Sequence, residues 1–281
     1  GKKSDAFVRH FIHLILFKIQ RKPVPSVLNL KFSYRFQDPV WETKASGRLL
    51  IVNTRNPDSL ESGFSLISLE DKALIWENLR FEEEWWVSVY HMTDELIVFQ
   101  QFEDSHNIDD RSVFGFDPMK QESVWSMENV RLTGANGDQL YMRWEEDQEL
   151  IYNVRKKDWD TRKLQIDEVR DFLYPIHYEA DNPHFETLAR FLKLKQGIDL
   201  EGSCDYLESG GLIFIAANHV NEGKKSLSLY VFDNSGHLLM EESLESGVKG
   251  LVSGTFFIAK EALIFVTGKN ELKIYSINEK V

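Results

Sequence analysis

A short hydrophobic phrase recurs along the chain, and this repeat limits the folds that the chain can adopt. Each copy consists of one or two turn residues followed by an apolar run. The copies are "GRLLIV" from Gly47, "DELIVF" from Asp94, "GGLIFI" from Gly210, "EALIFV" from Glu261 and a weaker "DQLYMR" from Asp138. Their aligned leucines follow one another at intervals of 47, 44, 72 and 51 residues. A period of about 40–50 residues is typical of propeller blades and of helical repeat arrays.

The composition of the copies indicates strands. The runs are short, rich in Val, Ile, Phe and Tyr, and bounded by Gly, Asp, Asn and Ser. One β-like stretch precedes each copy, and an alternating strand, a tight polar turn and another apolar run follow it. The turns at 70–72, 117–121 and 233–236 have the composition that closes hairpins. Four strands per unit and five units predict an all-β fold, a five-bladed β-propeller.

The two ends of the chain predict how the ring closes. The fifth unit stops after its third strand, because the sequence ends at residue 281. Residues 27–36 alternate between apolar and polar and belong to no complete unit. As a fourth strand they would complete the fifth unit and remove an open sheet edge. We therefore expect a single propeller domain over residues 25–281, closed by an N-terminal strand.

The N-terminal segment departs from the strand pattern. Residues 7–22 carry apolar side chains at helical spacing, so residues 1–24 are predicted to form an amphipathic helix and a linker. The helix either packs on the domain or binds a membrane surface or a partner. Its longest apolar run, residues 14–17, is far below the ~20 residues that span a bilayer, so no membrane span is expected.

The 72-residue interval contains a surplus at about residues 170–200, which predicts an inserted helix. Asn182 suits the N-cap, Pro183 the first turn and Gly197 the stop. A strand over the same residues remains the alternative. The predicted apolar face of the helix consists of Phe185, Leu188, Phe191, Leu192 and Leu194.

The pattern in residues 41–76, a tryptophan, then "LLIV" and then "LIW", resembles the blades of quinoprotein-like and WD-repeat-like propellers. The resemblance covers nearly the whole chain, but its motifs are generic. The Trp-Asp dipeptide and its Gly-His partner are missing, since "DWD" at 158–160 is predicted to lie in a loop. The resemblance implies an uncharacterised bacterial propeller family, and it carries over no quinone-binding residue and no cofactor.

Charge and cysteine content narrow the classes of partner and compartment. The net charge is −12, from 45 acidic and 33 basic residues. Such a surface repels phosphate backbones and anionic lipids, which disfavours nucleic acid and membranes as partners. Cys204 is the single cysteine, so no intrachain disulfide can form and a cytoplasmic location is favoured. The chain begins at Gly1 instead of a methionine, so the presence of an upstream targeting segment is an open question.

Four acidic clusters are predicted to share one face of the propeller. The loops from second to third strands, and from fourth strands to the next unit, gather at the end where ligands bind. The candidate binding residues are Glu82, Glu83, Glu84, Trp85, Trp86, Asp109, Asp110, Glu145, Glu146 and Glu241. They predict a site for a basic protein partner, and solvated loops or a cation site are the alternatives. Neighbouring residues of a strand point to opposite faces, so one of the two tryptophans is expected in the core and the other as an exposed anchor.

No catalytic arrangement stands out. The nucleophile elbow, the Walker loop and the dinucleotide-binding glycine motif are absent. Asp205 beside Cys204 opposes a thiolate. A glycoside hydrolase needs two carboxylates roughly 5–10 Å apart. The inner strands offer Asp205 and Glu42, with Asp94 and Asp138 better explained as turn residues.

The eight histidines are scattered. Residues 177–184 hold His177, Glu179, Asp181 and His184, but this spacing matches no familiar metal-ligand motif, so neither a metal nor a cofactor is expected. His91, beside Tyr90 on an inner strand, is predicted to be a satisfied core residue. The sequence thus predicts a monomeric, non-enzymatic propeller that serves as a protein-interaction or scaffold module through its acidic loop face. The alternative is a propeller that binds carbohydrate or another small ligand, including a glycoside hydrolase.

Overall fold

The computed structural model describes residues 27–278 except 83, 105–106, 145–147, 163–171, 222 and 247–254. The predicted N-terminal helix, the predicted strand from Lys163 and the acids Glu83, Glu145 and Glu146 lie outside the described residues.

Strands make up most of the described chain. They are β1 (Val27–Arg35), β2 (Val40–Ser46), β3 (Leu49–Asn56), β4 (Glu61–Ser68), β5 (Ala73–Leu79), β6 (Val87–Met92), β7 (Ile97–Asp104), β8 (Asn107–Asp117), β9 (Glu122–Glu128), β10 (Val130–Asn136), β11 (Gln139–Trp144), β12 (Gln148–Asn153), β13 (Asp158–Asp160), β14 (Phe172–Leu173), β15 (Ile176–Glu179), β16 (Leu200–Ser209), β17 (Leu212–Asn221), β18 (Lys224–Asp233), β19 (Leu238–Ser246), β20 (Phe256–Ala259), β21 (Ala262–Thr267) and β22 (Glu271–Asn278). Helix α1 spans Pro183–Gln196, and a 3₁₀ turn spans Glu84–Trp86.

The strands form antiparallel sheets in which most neighbours follow one another along the chain. Three sheets have four strands, in the orders β2–β5, β6–β9 and β10–β13. Two have five, in the orders β15–β19 and β1-β22-β21-β20-β14. Three copies of the hydrophobic phrase lead into the second strand of a four-stranded sheet, and the copies from Gly210 and Glu261 lead into β17 and β21, the middle strands of the five-stranded sheets. The predicted all-β class and the predicted run of antiparallel units agree with this architecture.

The chain divides into two compact units. One comprises residues 37–171 and holds the three four-stranded sheets. Its described apolar core includes one cluster between β2–β5 and β6–β9 around Phe64 and Phe99, and another between β6–β9 and β10–β13 around Val98 and Leu140. We call it the three-sheet unit.

The other unit takes residues 1–36 and 172–281, and its described part holds the two five-stranded sheets and α1. We call it the helix-bearing unit. One of its apolar clusters joins the two sheets around Phe214 and Phe256, and the other lies beneath α1. Both five-stranded sheets gain their extra strand from the inserted segment, because β14 pairs with β20 and β15 pairs with β16.

The strand predicted from residues 27–36 pairs with the last described strand of the chain. In this antiparallel pair Val27 lies opposite Asn278 and Arg35 opposite Glu271. Side chains reinforce it, since Arg35 donates to the Glu271 carboxylate at 2.7 Å and Ser33 donates to the same carboxylate at 2.7 Å. These bonds lower the pKa of Glu271. The N-terminal strand thus supplies an outer strand to a sheet built from the C-terminal part of the chain.

Helix α1 confirms the predicted insertion and both of its ends. The Asn182 side chain accepts a hydrogen bond from the His184 backbone N–H at 2.9 Å, and Pro183 opens the first turn. Gly197 adopts a φ of 73° and donates to the Lys193 carbonyl, which is the left-handed stop that favours glycine. The strand alternative for this segment is therefore wrong.

The buried face of α1 is narrower than the sequence predicted. Phe185, Leu188 and Leu192 are buried, and Phe191 packs edge-on against Phe232. The prediction for Leu194 is wrong, because this side chain is 86% exposed. Two residues advance a helix by about 200°, so Leu194 faces away from the side that buries Leu192.

The "DWD" segment is a strand, so the prediction of a loop there is wrong. Asp158–Asp160 pairs with the end of β12 as β13. The Asp160 carboxylate accepts hydrogen bonds from Gln139, Asn153 and Lys156, and these bonds lower its pKa to about 2. A three-residue strand is too short to show alternation, and two of its side-chain partners, Gln139 and Asn153, lie on other strands.

Candidate interaction site

The segment between β5 and β6 carries the first group of predicted site residues. Glu82 is exposed, and Glu84–Trp86 form the 3₁₀ turn that leads into β6. Trp86 is 42% exposed and Trp85 is half-buried, so neither ring lies in the core. The expectation of one core and one exposed tryptophan is wrong, because it assumed a strand. In a turn the two side chains need not alternate between opposite faces.

Trp85 belongs to an aromatic cluster that the sequence did not predict. Its ring centroid lies 6.4 Å from that of Trp41, at an interplanar angle of 51°. The Arg55 guanidinium lies 5.1 Å from the Trp41 centroid and 5.2 Å from the Trp85 centroid. Both distances are within the range of cation–π attraction. We call these three residues the Trp–Arg–Trp cluster.

Two hydrogen bonds hold Arg55 in place. Its Nε donates to the Asn53 side-chain oxygen at 3.0 Å, and one Nη donates to the Val87 carbonyl at 3.1 Å. Asn53 is itself buried and donates to Ser62 at 2.8 Å. Partial burial lowers the pKa of Arg55, and the nearby Glu42 carboxylate opposes this effect. Arginine nevertheless stays charged at neutral pH.

The cluster lies where β2 begins, where β3 ends and where the chain enters β6. This is the end of the first two sheets that bears loops from second to third strands and from fourth strands to the next sheet. The sequence placed ligand-binding loops at such an end. Trp41 is 65% exposed there and presents a large aromatic surface to solvent.

Lys44 and His91 occupy equivalent positions of the repeat, 47 residues apart, and both join neighbouring sheets of the three-sheet unit. Lys44 donates from Nζ to the Val89 and Tyr90 carbonyls at 2.8 Å each. His91 Nε2 lies 2.7 Å from the Gly137 carbonyl oxygen. Burial lowers the pKa of both groups. His91 is thus hydrogen-bonded, as predicted, but it is only partly buried and so is not a core residue.

The remaining predicted acids are dispersed over different elements. Asp109 and Asp110 lie in β8 and not in a loop, because this strand already begins at Asn107. Glu241 is exposed on β19, an outer strand of the helix-bearing unit. Convergence of these acids on one face stays a prediction.

The carboxylates considered for glycoside hydrolysis have structural partners. Asp94 accepts a hydrogen bond from the Arg48 backbone N–H at 2.9 Å, and Asp138 pairs with Arg155 at 3.0 Å. Both lie in turns, as predicted. Glu42 lies 3.8 Å from the Lys44 ammonium.

A second polar cluster lies in the helix-bearing unit. His177 Nδ1 lies 2.6 Å from the Asp205 carboxylate, which is only 2% exposed. The other carboxylate oxygen of Asp205 accepts from the backbone N–H and the hydroxyl of Thr255 at 3.1 and 3.0 Å. His177 Nε2 lies 3.2 Å from Glu179, and the bond to Asp205 is the main reason that the pKa of His177 is raised. We call this the buried aspartate network.

The network joins β15, β16 and the residue before β20 without forming a metal site. Among the residues that the structure describes, no group of three His, Cys, Asp or Glu side chains is arranged to hold a metal ion. Cys204 is buried, and burial followed by the charge of Asp205 raises the pKa of its thiol to about 12. Thr255 was missed because it lies 50 residues from Asp205 and carries no spacing signal.

No helix in the described ranges is long and apolar enough to cross a membrane.

Comparison with known proteins found similarity to uncharacterised families and to solved propeller structures. A family model described as "Domain of unknown function (DUF4905)" matches residues 44–125. No curated protein matches.

Similar solved structures include β-propellers. A member of the DUF4221 family from Bacteroides vulgatus shares 8% identity over 92% of this chain and 99% of its own, with a TM-score of 0.33. The β-propeller domain of the Trilobed protease from Pyrococcus furiosus shares 12% over 89% and 97%, with a TM-score of 0.34. BamB from Moraxella catarrhalis shares 8% over 89% and 100%, with a TM-score of 0.21. Identities and scores at this level transfer no activity to the chain.

Proposed function

We propose that this chain is a non-enzymatic, five-bladed β-propeller that binds a basic protein partner through the loop end carrying residues 82–86. The five sheets serve as blades, and pairing of β1 with β22 closes the ring. The molecule acts as a monomeric interaction or scaffold module.

The exposed aromatic surface beside Glu82 carries the proposal. Trp41 and Trp86 are 65% and 42% exposed, and such rings are enriched among the residues that anchor protein interfaces. The sequence places Glu82, Glu83 and Glu84 directly before the tryptophan pair. Acidic residues next to aromatic anchors in the sequence suit a partner that carries Lys or Arg.

Peptide binding to the full chain tests the proposal. Fluorescein-labelled 12-residue peptides of basic, neutral and acidic composition are titrated, and anisotropy is followed at low and at physiological salt. We expect only the basic peptide to bind, with an affinity that falls as salt rises, because exposed charges are screened. The change Glu82→Lys should weaken binding several-fold.

Glu70→Lys is the matched control. Glu70 is exposed in the turn between β4 and β5, at the opposite end of the sheet from Trp41, so this change alters net charge equally at a different place. Equal losses of peptide affinity in the two variants would show that the effect depends on net charge alone. Failure of the basic peptide to bind would overturn the proposal.

A further inference from the structure

We propose that the open face of Trp41 is an arginine-binding site, where a guanidinium of the basic partner stacks. The inference rests on the proposed function and names the chemistry of the contact. Arg55 already lies over the Trp41 ring at 5.1 Å, and the ring is 65% exposed. The molecule itself therefore shows a guanidinium held by an indole that is also largely exposed to solvent.

The platform is preorganised. Arg55 is fixed by Asn53 and Val87 at 3.0 and 3.1 Å, so its contact with Trp41 does not depend on a freely rotating side chain. Trp85, at 6.4 Å from Trp41, limits how far the indole can tilt. A ring held in this way loses little conformational freedom when a partner binds, which favours affinity.

Local charge allows a second cation at the ring. Arg55 on the occupied face repels an incoming cation, but the Glu42 carboxylate acts on Arg55 from the neighbouring position of β2. Exposed Glu82 adds negative charge on the segment that leads to Trp85. The negative charges of Glu42 and Glu82 therefore offset the repulsion that Arg55 exerts on a second cation at the Trp41 ring.

The stacked geometry selects arginine over lysine. A guanidinium is planar and more weakly hydrated than an ammonium, so it lies flat on an aromatic face at a lower desolvation cost. Lysine would bind as a compact, strongly hydrated point charge. We therefore expect a partner segment in which arginine cannot be replaced by lysine without loss of affinity.

The test uses the full chain and two peptides of equal length and charge, one with four arginines and one with four lysines. We expect the arginine peptide to bind more tightly, and Trp41→Ala to weaken it by about tenfold, within the range of cation–π contacts. Trp41→Phe should retain part of the affinity. Trp159→Ala is the control, because Trp159 is 44% exposed in the same unit and packs edge-on against Tyr152.

The outcomes separate this inference from the proposed function. If the arginine peptide binds and Trp41→Ala binds equally well, the Trp41 site is wrong while a basic partner still stands. Equal affinity for arginine and lysine peptides also overturns the stacking. If neither peptide binds, the proposed function itself fails. Thermal unfolding of Trp41→Ala shows whether its loss of affinity reflects misfolding, and Trp41→Phe tests the same contact with an aromatic ring preserved.

Discussion

At the scale of single residues, the buried aspartate network is the feature with the largest expected energetic effect. Asp205 is 2% exposed and accepts from His177 and Thr255, so its charge is fully paired inside the protein. Breaking a buried charge pair costs about 3 kcal/mol, because the remaining partner loses its compensation. We expect Asp205→Asn to lower the free energy of unfolding by about that amount in a urea titration.

Glu179→Gln is the matched control for that variant. Glu179 contacts the same imidazole at 3.2 Å but is exposed, so its loss should cost less than about 1 kcal/mol. Equal effects of the two changes would show that the burial of Asp205 has no energetic weight.

The protonation of His177 predicts how stability depends on pH. The pKa of His177 is raised above its ordinary value of 6.5, first by Asp205 and also by Glu179. The folded state therefore binds this proton more tightly than the unfolded state. Its contribution is complete below pH 6.5 and is lost as pH rises through the raised pKa. His177→Gln should remove this pH dependence from urea unfolding curves between pH 5 and about 9, whereas an unchanged slope would contradict the assignment.

Residue-level predictions succeeded where the signal was local. Asn182, Pro183 and Gly197 were recognised because capping acts within a few positions of the chain. The Trp–Arg–Trp cluster was missed because its residues come from the start of β2, the end of β3 and the turn before β6. Arg55 lies 14 residues after Trp41 and 30 residues before Trp85. Only the register of the sheets brings these residues together, and no spacing rule encodes it.

At the scale of elements, α1 offers a direct test of which face supports the fold. Leu192 is fully buried and Leu194 is 86% exposed, two positions later on the same helix. Leu192→Ala should lower the free energy of unfolding by about 3 kcal/mol through lost burial and a cavity. Leu194→Ala should stay within about 0.5 kcal/mol, since the residue contributes no burial. Comparable losses in the two variants, measured by urea unfolding, would contradict the packing of α1.

Strands were predictable in proportion to their length and alternation. The phrase-bearing strands β3, β17 and β21 are long apolar runs bounded by turns, and their positions agree with the repeat. β13, β14 and β15 have four residues or fewer, so each offers too few residues for a periodic signal. The strand β14 forms because it pairs with β20, and its own sequence does not predict it.

At the scale of the whole molecule, β1 is expected to be decisive for thermal stability. Its eight register pairs with β22 would be lost on deletion of residues 25–36, leaving β22 with an open edge. In a chain of this size each lost kcal/mol lowers Tm by about 2–4 °C, so we expect a fall of roughly 10 °C or more, or aggregation. Deletion of residues 1–24 keeps the β1–β22 pair and serves as the control. Unchanged thermal unfolding after deletion of residues 25–36 would contradict closure by β1.

Because β1 pairs directly with β22, the order of the strands along the polypeptide can be changed while their pairing in the sheets is kept. Val27 and Asn278 are direct partners, so a linker of a few residues can join them without disturbing either strand. New ends can then be opened at the β8–β9 turn, where Met119 is 53% exposed. Such a circular permutant keeps every strand pair while β1 directly follows β22 in the polypeptide. A chain that starts in the β8–β9 turn is therefore expected to fold into the same sheets, because β1 and β22 are direct partners.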